Sequence, residues 1–249
     1  MIIGNKIPVG RIAGVPVALD YSFILLVILY GHSYFTSGSS RLMLIGVGVV
    51  IGGIGSILVH ELAHAWAGRI CRTEPTHIEL NGMGGLCFFG RSAATAREDV
   101  FISLAGPASN LALWALFHWL GEWTSWSISG LFDDENASEI ATHAGFVAAS
   151  HAMTLFAVLA SLNISLFVFN MLPSFPLDGG RALATALSRR MDHLSAQKLV
   201  AQLGLAVCAF CVWYAVKGSI FMLVMAFHLF LANREMLDRA GNPPWQRWN

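Results

Sequence analysis

The chain has 249 residues, of which 55% are hydrophobic and only 12% charged, about half the roughly 25% charge of an ordinary soluble domain. Fifteen Lys and Arg balance fifteen Asp and Glu, which excludes a basic nucleic-acid binder, and four Cys do not make a disulfide scaffold. With a mean hydropathy of +0.61, the class that remains is a protein that crosses the lipid bilayer several times.

Met1–Arg11 holds Lys6 and Arg11 but lacks an apolar core followed by a small-residue cleavage site, so no cleaved signal peptide is expected. Beyond it, the runs without Asp, Glu, Lys or Arg are Tyr21–Ser40, Leu42–His60, Val100–Gly121, Ile140–Leu177, Leu199–Val216 and Gly218–Asn233. A helix needs about 20 apolar residues to cross the hydrocarbon core. Five runs reach that range, and the sixth is slightly short. Ile140–Leu177 exceeds one span, but Pro173 and Pro176 break its C-terminal end. The expected fold is an all-α polytopic membrane protein forming one domain over 1–249. Six transmembrane helices are expected, at about 19–36, 42–70, 99–121, 144–172, 198–216 and 218–233, with a small membrane-associated β-hairpin or sheet near the site described below.

Loop charge sets the orientation. With a cytoplasmic N-terminus, the inner segments hold Lys6, Arg11, Arg69, Arg72, Arg91, Arg97, Arg181, Arg189, Arg190, Lys198, Arg234, Arg239 and Arg247, leaving only Arg41 and Lys217 outside. Both termini are therefore expected in the cytoplasm. Tyr30, Tyr34, Phe35, Trp119, Trp123, Trp126, Trp213 and Tyr214 fall near outer ends, and Trp245 and Trp248 would mark the inner interface. Glu122–His143, with Asp133, Asp134 and Glu135, is expected to be a solvated outer loop.

The chemistry concentrates in the second span. His60-Glu61-Leu62-Ala63-His64 is an H-E-x-x-H pattern that follows Ile57-Leu58-Val59 without a break. Four helical residues turn through about 400°, so the two imidazoles share a face and can reach one metal ion, with Glu61 beside them as a general base. Three ionisable groups within five residues of a span need a partner. At 1.5 Å per residue, His64 lies about 8 Å and His60 about 14 Å from the inner boundary at Arg69.

Two His leave zinc one ligand short of a catalytic set of three. His143 and His151 fall in the opposite leaflet. Asp178 falls at the inner end of the fourth span, where two prolines open the helix, and backbone of that kind is tolerated where it lines a cavity. Its alternative role is to cap the short helix that follows. Glu98 and Asp99 are rivals on the same side, at a helix start where acidic residues are expected. Cys208 and Cys211 read as buried small hydrophobes, Asn163 as an interhelical hydrogen-bonding residue, and Gly106 with Asn110 as a helix-packing pair.

After the second span, His77–Leu80 and Leu86–Phe89 read as two short strands joined by Asn81-Gly82-Met83-Gly84-Gly85. The second strand is apolar on both faces, which suits a hairpin sunk in a cavity or bilayer edge. A free strand edge there would hold an unwound peptide by backbone pairing; the alternative is a linker over the cytosolic face.

His60-Glu61-x-x-His64 with Asn170-x-x-Pro173-x-x-Pro176-Leu177-Asp178-Gly179-Gly180 resembles the site-2 protease family of intramembrane zinc metalloproteases. Gly106-Pro107-x-x-Asn110 resembles that family's third-helix element, and Leu80–Gly85 its membrane-dipping hairpin. The resemblance spans about residues 8–192 and suggests a compact form without the PDZ or CBS domains of some branches. It implies one Zn2+ per chain on His60, His64 and Asp178, with Glu61 catalytic and Asn170 holding substrate or polarising its carbonyl. The implied reaction is cleavage of a transmembrane segment of a single-span membrane protein near the cytosolic side. A prokaryotic plasma membrane is the expected location, and a regulatory membrane partner is left open. Two other readings place ionisable groups at membrane depth: a membrane zinc carrier, and a scaffold derived from such a protease that binds without cutting.

Overall fold

The computed structural model describes residues 6–132, 139–216 and 220–241. Asp133, Asp134, Glu135, Lys217, Trp245, Arg247 and Trp248, and the side chain of His143, lie outside the described residues. In chain order the elements are β1 (Lys6–Ile12), β2 (Val15–Asp20), α1 (Phe23–Phe35), α2 (Ser40–Ile70), β3 (Pro75–Asn81), β4 (Gly84–Phe89), α3 (Ala96–Phe132), α4 (Glu139–Asn170), α5 (Asp178–Leu187), α6 (His193–Ala215) and α7 (Ile220–Gly241).

Side-chain caps set several helix starts. The Ser39 hydroxyl accepts from the Leu42 amide at the head of α2. Thr95 and Glu98 form a reciprocal capping box at α3: the Thr95 amide donates to Glu98 Oε2 at 2.9 Å and the Glu98 amide to Thr95 Oγ1 at 3.2 Å. At α6 the Asp192 carboxylate accepts from the Ser195 amide at 3.0 Å, and the Ser195 hydroxyl, with that amide, holds its pKa below the usual carboxylate range. Pro173, which lacks an N–H, ends α4 at Asn170 as expected.

The four strands form one sheet in the order β1-β2-β3-β4. β1 and β2 are antiparallel across a tight turn in which Ala13 and Gly14 both have positive φ, the geometry that matches strand twist. β2 and β3 are parallel, pairing Val17 with Ile78 and Leu19 with Leu80, and α1 and α2 supply the crossover between them. β3 and β4 are the anticipated hairpin, extended at Pro75–Thr76 and, on the turn side, at Asn81 and Gly84–Gly85, and joined at Gly82-Met83. Period-two alternation sends Val15, Val17, Ile78 and Leu80 into a core with Phe23 and Leu26 of α1 and Ile57 and Ala65 of α2. The sheet is thereby fixed to the helix that carries His60 and His64. Among the described residues β4 is an edge strand, paired only with β3.

Among the described residues, four helices are long and apolar enough to cross a membrane, drawn from α2, α3, α4 and α6. The first expected span, 19–36, is divided. Asp20 accepts from the Ser22 amide at 2.8 Å and its hydroxyl at 2.6 Å, turning the chain before α1. At 13 residues, α1 is about 20 Å long, against a hydrocarbon core of about 30 Å. α7 carries Arg234, Glu235, Asp238 and Arg239 in its second half, paired at i,i+4, as on a solvated helix face.

The expected loop at Glu122–His143 is largely helical, because α3 continues to Phe132 and α4 begins at Glu139. Polar residues there do not unwind the helix, because their hydroxyls bond back within it: Thr124 Oγ1 donates to Leu120 O at 2.7 Å and Ser127 Oγ to Trp123 O at 2.9 Å.

The hairpin turn docks on the corner between β2 and α1. The Gly82 amide donates to Ser22 Oγ at 3.0 Å, and a Cβ at Gly82 would lie 2.6 Å from the Ser22 carbonyl oxygen. Gly82→Ala should therefore destabilise the protein by about 1–3 kcal/mol, the usual range for overpacking, seen as a lower thermal midpoint in detergent.

Candidate metal centre

α2 presents His60 and His64 one turn apart on a buried face, with rings edge to face and centroids 4.8 Å apart. Asp178, the first residue of α5, meets them from the loop after α4. His60 Nε2 lies 3.0 Å from Asp178 Oδ2, His64 Nε2 lies 3.3 Å from the same oxygen, and the two Nε2 atoms are 3.1 Å apart. Two ligand atoms bound to one tetrahedral zinc at about 2.0–2.1 Å stand about 3.3 Å from each other. The trio has that spacing.

The other ring nitrogens settle what these atoms are. His64 Nδ1 lies 2.7 Å from the Ile102 carbonyl oxygen, and His60 Nδ1 lies 2.5 Å from Asn110 Oδ1. Both partners accept, so each neutral imidazole carries its proton on Nδ1. Both Nε2 lone pairs then face a carboxylate with no proton between them, an arrangement that a cation resolves. The orientation of Asn110 is fixed in turn. Its Nδ2 donates to Asn163 Oδ1 at 3.0 Å, and Asn163 Nδ2 donates to Ser56 Oγ and Leu159 O, both at 2.9 Å. Ser56 Oγ donates to Gly52 O at 2.8 Å. Asn110 and Asn163 are wholly buried, so the relay holds the ring of His60 without help from water.

Glu61 is buried beside the trio. Its carboxylate faces the backbone of β4: a Cβ added to Gly85 would stand 2.6 Å from Glu61 Oε1. His60, Glu61, His64, Asp178 and Asn170 all line one cavity of about 550 Å³, bounded on one side by Gly84–Cys87 and Phe89 of β4. Asn170 Nδ2 donates to Leu166 O at 3.0 Å, which leaves its Oδ1 and second proton for a ligand. Burial, with the Glu61 charge beside it, pushes the Cys87 thiol up to about 12, so that wall carries a neutral thiol.

The sequence rivals lie elsewhere. Glu98 completes the capping box. Asp99 accepts from Arg181, and from Thr185 Oγ1 at 2.6 Å, tying α5 to α3. Leu177, not Asp178, is the cap of α5. Cys208 and Cys211 pack with Leu177, Ala226 and Leu229, as small hydrophobes do. Asn163 bonds between helices as expected. The hold of Asn110 on the His60 ring was not anticipated; the sequence marked Asn110 only through its pairing with Gly106 and the Gly106-Pro107-x-x-Asn110 pattern. Gly106 does more than pack helices, because a Cβ there would lie 2.5 Å from His60 Nε2 and closer still to His64 Nε2.

Residues 48–211 match peptidase family M50, and the chain belongs to that family. A Mycobacterium tuberculosis protein named "Putative zinc metalloprotease Rip3" is 32% identical over 194 residues, covering 75% of this chain and 44% of that protein. Zinc metalloprotease MJ0392 of Methanocaldococcus jannaschii is 25% identical over 228 residues, 90% of this chain and 59% of that one. The chain thus spans about half the length of the curated relatives it matches. The fold is similar to that of the site-2 protease from Methanocaldococcus jannaschii, with a TM-score of 0.62 at 20% identity over 94% of this chain and 95% of that one.

Because the backbone of α3 passes so close to both Nε2 atoms, Gly106→Ala should bring zinc content well below one per chain while the helices persist by circular dichroism. Asn110→Leu, which frees the ring of His60, should weaken zinc binding about 10–100-fold, the usual effect of losing an outer-shell partner; chelator competition measures it.

Proposed function

We propose that this chain is an intramembrane zinc endopeptidase that cuts a transmembrane segment of a single-span membrane protein near the cytosolic side. The observation that carries the reading is the meeting, in one cavity, of a His-His-Asp cluster, a buried glutamate and a free strand edge. Zinc, when bound by His60, His64 and Asp178, would polarise the scissile carbonyl and bring the pKa of water towards 7.

The chain's own groups supply the rest. Glu61 takes the proton from the attacking water on its carboxylate and returns it to the leaving amine. The free amide capacity of Asn170 serves the oxygen of the scissile carbonyl as charge develops there. A helical substrate hides its carbonyls in hydrogen bonds, so the segment must be extended before it is cut. The outer edge of β4 lies beside Glu61, whose carboxylate accepts from the Cys87 amide, and an extended peptide would add along that edge as a further strand. The positive-inside pattern favours six spans with both termini in the cytoplasm, placing the cavity in the inner leaflet within reach of cytosolic water.

Cleavage of a reconstituted single-span substrate, run beside zinc flux in the same liposomes, separates a protease from a carrier. Glu61→Gln should keep zinc and lose cleavage by at least about 10²–10⁴-fold; full activity in that variant would remove Glu61 from the mechanism. Asn170→Ala should lose about 10²–10³ in rate with zinc retained, and native turnover would reduce it to a packing residue.

Proline deletes one backbone N–H. Among Pro substitutions at Leu86, Phe88 and Phe89, at least one should abolish cleavage while zinc content and fold persist. Normal cleavage in every variant that folds would show that β4 does not hold the substrate.

A further inference from the structure

Helix α7 lies beyond the residues matched to the family, yet it grips the loop that delivers Asp178. Asn233 of α7 is wholly buried. Its Oδ1 accepts from the Phe175 amide at 3.1 Å. Its Nδ2 donates to Ser174 Oγ at 2.8 Å and to the carbonyl oxygens of Phe175 at 2.8 Å and Leu229 at 2.7 Å. Three acceptors around two protons saturate the amide. Only a group that both donates and accepts can hold a loop by its N–H and its C=O at once.

The path from there to the metal centre is short. Ser174, itself wholly buried, accepts at its carbonyl from the Leu177 amide at 2.9 Å, and Leu177 accepts from the Arg181 amide at 3.1 Å. Leu177 shares one buried core with Ala226 and Leu229 of α7, so the residue before Asp178 belongs to the same packed region as the helix that carries Asn233. Gly204 of α6 provides the space for the amide, because a Cβ there would collide with the Asn233 side chain.

We propose that Asn233 is a positioning residue for the zinc site. It fixes the turn from Ser174 to Leu177, and through that turn it holds the Asp178 carboxylate against His60 and His64. The inference rests on the metal reading above and is independent of proteolysis.

The test is the zinc affinity of the purified full chain, measured with Zn2+ against competing chelators as a double-mutant cycle with Asp178. Asn233→Leu is close in volume and cannot hold the loop. It should weaken zinc binding about tenfold or more in the native background. In Asp178→Ala, where no third ligand remains to be placed, the same change should cost less than about twofold, because the two effects run through one group. Equal losses in both backgrounds would mean a general packing defect and would overturn the proposal, as would native affinity in Asn233→Leu. Should Asn233→Leu fail to fold, Gly204→Ala carries the same cycle, since its methyl displaces the amide without removing it. Zinc bound by the native chain with no coupling in the cycle defeats this inference alone. A native chain that binds no zinc defeats the metal reading with it.

Discussion

Three lone-pair-bearing atoms face one another at 3.0–3.3 Å in the interior of the protein, and much of the surrounding structure serves to keep them there. Left to themselves, two imidazole nitrogens and a carboxylate oxygen at that distance repel, and low dielectric sharpens the repulsion. Metal binding reverses the sign, but the ligands must be set before the ion arrives if affinity is not to be lost to their reorganisation. Each ligand therefore has its own restraint, and the restraints come from different elements: an Ile102 carbonyl and an Asn110 amide on α3, an Asp99 carboxylate at the foot of α3, and an Asn233 amide on α7.

The restraints differ in kind. His60 and His64 share one helix, so their spacing follows from 3.6 residues per turn and needs only the rotation of each ring to be fixed. Asp178 has no such guarantee. It is 118 residues from His60 and arrives after a break that two prolines impose. Its loop is anchored at both ends, by Asn233 and Leu177 before the ligand and by the Asp99 contacts of Arg181 and Thr185 after it.

Legibility in the sequence divides along the same line. His60, Glu61 and His64 were readable because helix periodicity alone places them together. Asp178 was readable because prolines at membrane depth imply a cavity. The β3–β4 hairpin was readable from its glycines. The β1–β2 pair was not, because Lys6 and Arg11 mark a cytoplasmic segment equally well with or without strands, and β2 gains its place only by pairing in parallel with a strand 61 residues further on, as Val17 does with Ile78. The helical extension of α3 past Gly121 was hidden by polar residues whose hydroxyls turn inward to the backbone. Gly106 and Asn110 stood out as a pair, but helix packing explains small and amide residues at i,i+4 without reference to a metal. Nothing local distinguishes Asn233 from a helix-end asparagine; its role exists only once the loop from Met171 to Leu177 has folded back onto α7.

Gly85 shows how little freedom the cavity retains. A glycine in a strand interior weakens the sheet, and at β4 that cost falls beside the proposed general base. Without a side chain at Gly85, the Glu61 carboxylate approaches the strand backbone directly. With one, the strand would be held off or the acid turned away. In the proposed reaction the water that Glu61 deprotonates must meet a carbonyl held by the same strand, and the near-attack distance for such a step is about 3–3.5 Å. A general base and a substrate platform separated by a side chain could not share that distance. The glycine lets α2, which carries His60 and His64, and the sheet edge, which would fix the peptide, converge on one reacting bond.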